Sequence, residues 1–336
     1  MITFFKTLAI TVSAVFSFLA CELDYVHKDN LTDLQFNSHK AFKILQFTDV
    51  HLNADGIKSM APLHSIKKII SAEQPDLIVF TGDVVTEKPI IRGWDKLLGL
   101  VEDFNIPYAV VLGNHDDEQD VKRDSIASYV SKFPHSLMID KTENVFGNGN
   151  YFIRIKGSED TATKFILWFF DSNAYSRNPE IEGYGWIDET QIDWYEENSR
   201  ILTASNKNSP IPSLAFFHIP LPEYRLAFND NSCHRTGERK ENECSPVYNS
   251  GMYAAMKESG DIYGLFCGHD HDNNYVANYG GIALCYGRFS GGNNIYHHIE
   301  RGARVIELTE GERKFTSWEH LENGDIINRH TFPEEY

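Results

Sequence analysis

From Phe42 onward, short apolar runs alternate with longer stretches whose apolar positions recur every three or four residues. FKILQF reads as a strand, APLHSIKKIISAEQ as an amphipathic helix stopped by Pro75, DLIVFT as a strand and IIRGWDKLLGLVEDF as a helix. PYAVVLG is then a strand and DVKRDSIASYVSKF a helix. This alternation predicts a parallel sheet with covering helices. The second half is richer in strands. YFIRIKG and KFILWFFD read as consecutive antiparallel strands, and IDETQIDWYEENSRIL as a helix with Asp188 as its N-cap. IPSLAFFH, IYGLFCG, NYVANY, GIALCYG and ARVIELT read as strands, with YNSGMYAAMKESG as a helix. Two strand-rich halves predict two sheets face to face with helices outside. The tail from Glu310 offers material for one further hairpin.

Chemistry-bearing residues follow the apolar runs. Asp49-Val-His51 comes after FKILQFT, Gly82-Asp83 after DLIVFT, and Gly113-Asn114-His115-Asp116 after YAVVL. His218 follows LAFF, and Gly268-His269-Asp270-His271 follows IYGLFC. Strand ends open into loops, and loops on a rigid sheet are where metal and catalytic groups are usually placed. Carboxylate, carboxamide and imidazole together suit Mn, Fe or Zn, whereas Ca favours oxygen alone.

These blocks, in this order and each after a strand, resemble the calcineurin-like metallophosphoesterases, a superfamily that includes the purple acid phosphatases. The resemblance runs from about Phe42 to about Leu308, and GYGWIDETQIDWY, FFHIPLPE and GGIALCYG resemble a purple-acid-phosphatase-like branch of plants, fungi and bacteria. It implies an α/β (α+β) chain folded as a four-layer α-β-β-α sandwich, the metallo-dependent phosphatase fold. It also implies two divalent or trivalent ions (Mn, Fe or Zn). Asp49, His51, Asp83 and His271 would hold the first; Asp83, Asn114, His218 and His269 the second, with Asp83 shared. The implied reaction is hydrolysis by direct attack of a hydroxide shared between the ions. His115 would protonate the leaving oxygen, with Asp116 keeping it charged or oriented. Asp270 and Asp272 would either orient the neighbouring imidazoles or stand as solvated turn residues. One departure is visible: purple acid phosphatases carry a chromophoric Tyr shortly after the bridging Asp, and here that position is Thr86.

Composition refines this picture. A net charge of −17, from 48 acidic and 31 basic residues, argues against a general nucleic-acid binder. It also repels phosphorylated substrates at long range, a sign that bound cations would have to reverse locally. The expected substrate is a phosphorylated small molecule or a phosphoprotein. Residues 1–20 pair one Lys with an uncharged apolar run, the pattern of an export signal peptide. That run ends in Phe18-Leu19-Ala20-Cys21, which resembles a bacterial lipobox with Phe18 where Leu is usual; the expectation is export to the periplasm or cell surface, with Cys21 either lipidated or incidental to an ordinary cleaved signal peptide. The expected organisation is a signal peptide over 1–20, a tether over 21–40, a catalytic domain over 41–310 and an extension over 311–336. In an oxidising compartment, Cys233 and Cys244 would staple a polar excursion, with Cys267 and Cys285 paired or buried as free thiols. Trp186 and Trp194 read as core, and Arg225, His297 and His298 as surface. The function expected is a phosphomonoesterase; the alternatives are a phosphodiesterase or nucleotide hydrolase on the same fold, and a catalytically silent metal-containing binding protein.

Overall fold

The computed structural model describes residues 34–55 and 60–336, which fall within a single compact unit. The expected signal peptide and Cys21 lie outside the described residues. The strands are β1 (Ala41–Phe47), β2 (Leu52–Asn53), β3 (Leu77–Thr81), β4 (Val85–Glu87), β5 (Tyr108–Val111), β6 (Tyr151–Lys156), β7 (Thr163–Phe169) and β8 (Ser213–Phe216). They continue as β9 (Arg235–Thr236), β10 (Ile262–Cys267), β11 (Val276–Tyr279), β12 (Ile282–Tyr286), β13 (Gly302–Thr309), β14 (Phe315–Leu321) and β15 (Ile326–Phe332). The helices are α1 (Met60–Glu73), α2 (Ile90–Glu102), α3 (Arg123–Val130), α4 (Glu189–Ser205), α5 (Pro222–Asn229) and α6 (Met252–Ser259).

Two mixed sheets form the core. One runs β15-β14-β13-β1-β3-β5 and the other β6-β7-β8-β10-β12-β11-β9. The parallel strands β1, β3 and β5 are buried almost throughout, as a sheet covered on both faces requires. The sheets meet face to face: Phe266 of β10 lies edge-on to Phe315 of β14 at 5.5 Å, and Gln46 of β1 donates to the Cys267 carbonyl at 3.1 Å. Asp188 caps α4 through a capping box with Gln191.

The division into two halves does not hold strictly. β13 returns to the first sheet and pairs antiparallel with β1, and the tail adds β14 and β15 beyond it. Without β13, β1 would present an open edge. A buried polar knot holds this return in place. Glu319 on β14 accepts from Arg304 at 3.0 Å and from Arg288 at 2.8 Å, and also binds the amides of Asn274 and Asn328. Glu319 and Arg304 are fully buried. Replacing Glu319 with Leu should leave two guanidinium groups without a counter-charge and cost about 3–5 kcal/mol, readable as a lower urea midpoint. An unchanged midpoint would show that the knot contributes nothing to stability.

The cysteine pairing fails. Cys233 and Cys244 are both free, as are Cys267 and Cys285. Cys233 sits just past α5, whereas the Cys244 amide donates to Asp270 beside the motif residues. The polar excursion needs no staple. Arg239 binds Glu243, Tyr275 donates to Glu243, and the amides of Glu238 and Lys240 donate to the side-chain oxygens of Asn274 and Asn273.

Candidate metal centre

All five sequence blocks emerge at the carboxyl ends of parallel strands, where open α/β sheets place their ligands. Asp49, Asp83, Asn114, His218 and His269 each stand two or three residues past the end of β1, β3, β5, β8 and β10. The backbone there is unusual: Asp49, His51, Asp83 and His269 hold φ of 53°, 44°, 49° and 80°. These left-handed turns fold each side chain back over its strand end. Close approach requires glycine beside them. A Cβ on Gly82 would run into the His218 ring, and one on Gly113 into the Asp83 carboxylate.

The side chains gather in two clusters. Asp49, His51 and His271 form one; Asp83, His218 and His269 form the other. His51 Nε2 lies 3.1 Å from His271 Nε2, and His271 Nε2 lies 3.7 Å from Asp49. His269 Nδ1 lies 3.3 Å from His218 Nε2. Asp83 Oδ2 faces both groups, 3.2 Å from His218 Nε2 and 3.8 Å from His51 Nε2. That is where a carboxylate shared by two ions would have to stand.

Two rings are fixed in tautomer by groups that only accept. His218 Nδ1 lies 2.8 Å from the Thr81 carbonyl, and His271 Nδ1 lies 2.8 Å from the Tyr296 carbonyl. Each Nδ1 therefore carries a hydrogen, which leaves Nε2 as the nitrogen that would face a cation. Burial drives the His51 pKa down to about 3 and holds His269 well below the ordinary range, so both are neutral donors. Burial also disfavours a charged His218, but the adjoining Asp83 carboxylate outweighs it and lifts that ring to about 9. A cation entering here would displace that proton. Within this site, two buried atoms of the described residues find no protein partner: Asn114 Oδ1 and His269 Nε2. An orphaned carboxamide oxygen at this point fits a ligand to an ion. The donor set as a whole, imidazole with carboxylate and carboxamide, suits the expected pair.

Several readings need correction. Asp116 does not touch His115. It is buried, and accepts from the amides of Val84, Val85 and Gly113 at 2.7–3.0 Å, tying the β5 loop to the β3 loop. The partner of His115 is Glu118, 2.6 Å from Nδ1. Glu118 is clamped in turn by the Tyr175 hydroxyl at 2.5 Å, and Asn114 Nδ2 lies 3.4 Å from that hydroxyl. Burial would lower the His115 pKa, but Asp83 and Glu118 together raise it, favouring the imidazolium. Asp270 and Asp272 are not solvated. Asp270 accepts from the Tyr286 hydroxyl at 2.5 Å, and burial pushes its carboxyl up to about 7. Asp272 holds the His298 ring at 2.5 Å, while its amide donates to Glu241. Trp186 is only half-buried and lines a cavity; Trp194, also half-buried, lies edge-on to Trp168 at 5.7 Å.

The chain has known relatives. The profile of the calcineurin-like phosphoesterase family matches residues 42–273. The chain belongs to that family. It is 32% identical over 323 residues to the "probable inactive purple acid phosphatase 14" of Arabidopsis thaliana, covering 85% of this chain and 79% of that protein. It is 33% identical over 331 residues to "phosphatase DCR2" of Saccharomyces cerevisiae, covering 86% of this chain but 55% of that longer protein. Among solved structures, a dimetal phosphatase from Danio rerio superposes with a TM-score of 0.59 at 13% identity, over 86% of this chain and 98% of that one. A purple acid phosphatase from yellow lupin seeds gives 0.53 at 13% identity, over 87% of this chain and 53% of that one. The metallo-dependent phosphatase fold is thus shared.

Thr86 differs from the purple members in a way the structure makes concrete. Its hydroxyl lies 3.2 Å from His51 Nδ1, so it steadies an imidazole instead of offering a phenolate. Three tyrosines distant in sequence stand nearby. Tyr184 lies edge-on to His269, Tyr296 stacks on His271, and Tyr175 holds Glu118. Burial pushes the phenols of Tyr175 and Tyr184 up to about 12, keeping them neutral. With Thr86 where the chromophoric tyrosine would stand, metal-loaded protein should show no strong visible charge-transfer band. A purple preparation that bleaches in Tyr184→Phe would overturn this.

Proposed function

We propose that this chain is a metal-dependent phosphoesterase acting on phosphomonoesters. The observation that carries the reading is the position of Asp83 Oδ2 between His218 and His51, one from each cluster. Bound at these clusters, ions would supply Lewis-acid charge for the phosphoryl oxygens and activate water near neutral pH. Asp49, His51 and His271 would hold one ion, Asn114, His218 and His269 the other, with Asp83 common to both. His115, whose ring lies 5.7 Å from that of His51, would pass the proton on its Nε2 to the leaving oxygen while Glu118 holds Nδ1. Neutral Tyr175 would keep Glu118 from swinging away.

The words "probable inactive" in the names of plant relatives favour a second reading, a silent metal-containing binding protein. Against it, the chain presents every side chain that the chemistry needs. Turnover of nitrophenyl phosphate and bis-nitrophenyl phosphate, with Mn and after chelation, separates the readings. Metal-dependent hydrolysis favouring the monoester supports the proposal. Preference for the diester replaces it with a phosphodiesterase. Metal bound with no turnover of either leaves the silent protein.

We also propose export with an acyl group on Cys21, supported by the apolar run before the FLAC junction. Mass spectrometry of the membrane fraction should find a diacyl or triacyl Cys21; an unmodified mature form beginning elsewhere would refute the lipid.

A further inference from the structure

Beside the candidate centre lies a cavity of about 400 Å³ that the phosphoester chemistry does not use. Three aromatic side chains, Phe146, Tyr175 and Trp186, line it among polar neighbours. One cation lines it with capacity to spare. Arg123, also in the wall, has its guanidinium committed to Asp171, Asp117 and the carbonyls of Leu112 and Gly113. Arg177 instead lies over Phe146, 3.4 Å from the ring centroid, binds Asp188 through Nη2 and is otherwise exposed. A guanidinium stacked on a phenyl ring leaves its outer face open for another planar group. Asn178 stands in the same wall; its carboxamide oxygen accepts from the Glu180 amide, which leaves Nδ2 to meet a polar edge.

Tyr175 connects this cavity to the centre. Its ring lines the cavity, while its hydroxyl bonds Glu118, the partner of His115, and meets the carboxamide of Asn114. A single tyrosine ring thus separates the place where a phosphoryl group would react from a slot built for a flat, polar-edged ring. An aliphatic alcohol would gain little from such walls. A simple phenyl ring would stack but leave Arg177 and Asn178 unused. A nucleobase uses both features, because it offers π-faces for stacking and hydrogen-bonding edges.

We infer that the cavity receives the base of a nucleoside phosphate, making Arg177, Trp186 and Tyr175 determinants of specificity for a nucleotide leaving group. The inference rests on the phosphoesterase reading for its catalytic part only. Base stacking on such platforms accounts for about tenfold or more in affinity per base. The metal-loaded protein should therefore bind adenosine, which carries no phosphate, with quenching of Trp186 fluorescence that is lost in Trp186→Phe. The ratio of kcat/KM for adenosine 5′-monophosphate over glycerol 3-phosphate should exceed ten. That ratio should fall about tenfold in Arg177→Ala, an exposed substitution that removes no core packing, and in Trp186→Leu. Absence of turnover on any ester, with adenosine still bound and weakened by Arg177→Ala, would sink the catalytic reading and leave the binding site standing. Turnover of both esters with no adenosine binding and an unmoved ratio would overturn the cavity and leave the phosphoesterase. A larger kcat/KM for phosphotyrosine than for the mononucleotide, equally sensitive to both variants, would overturn the nucleotide assignment in favour of a phosphopeptide.

Discussion

Asp83→Asn should deprive the protein of both ions at once. The carboxamide is neutral, so it attracts two cations poorly. Asp83 Oδ1 already accepts the His115 amide at 2.8 Å, so the oxygen of an introduced Asn would stay there. Its NH₂ would then replace Oδ2 and donate toward His218 Nε2 and His51 Nε2, consuming the lone pairs that a metal needs. Changes in residues that merely support ligands already cost about 10–100-fold, so this substitution should lower kcat/KM by at least about 100-fold. Elemental analysis after chelation and reloading should find fewer ions per chain than in the parent. Full activity with an unchanged metal content would defeat the two-ion arrangement.

His115→Ala should reveal itself through the leaving group. Loss of a general acid typically costs about 10²–10⁴-fold. Nitrophenolate departs without much protonation, whereas the alkoxide of a sugar or serine phosphate does not. The variant should therefore lose far more activity on alkyl phosphates than on nitrophenyl phosphate, with its metal content intact. Equal losses on both, or loss of metal, would mark His115 as structural. Because Glu118 holds Nδ1, Glu118→Gln should reproduce the same selectivity in weaker form.

The strands and the candidate ligands were legible because each block follows a short, mostly β-branched and aromatic apolar run that suits a buried strand, and the motif order repeats a family pattern. What the sequence hid depends on chain folding back from a distance. Asp116 and Glu118 are both acids just past His115, and only the turn geometry turns one toward Val84 and the other toward the ring. Asp270 and Asp272 look like solvated turn residues until the segment carrying Glu241 and Cys244 closes over them. Tyr175 reaches Glu118 across 57 positions, with no local signal. α5 escaped notice because it is short and opens on Pro222, after a second proline at 220. The return of β13 beside β1 was equally silent, since antiparallel pairing leaves the same apolar run as a parallel neighbour.

The left-handed backbone at Asp49, His51, Asp83 and His269 bears on how such a protein would drift once its chemistry ceased to matter. A side chain held at positive φ costs of order 1–3 kcal/mol, less for Asp than for bulkier residues, and glycine escapes that cost. At Asp49 and Asp83 that gain is offset, because their carboxylates accept from the amides of His269 and His115. At His51 and His269 a lineage selected for folding alone would shed the strain by losing the side chain. Engineering would meet the same slope: screens of this scaffold for thermal resistance should enrich glycine at His51 and His269 first, trading away groups that gather a cation.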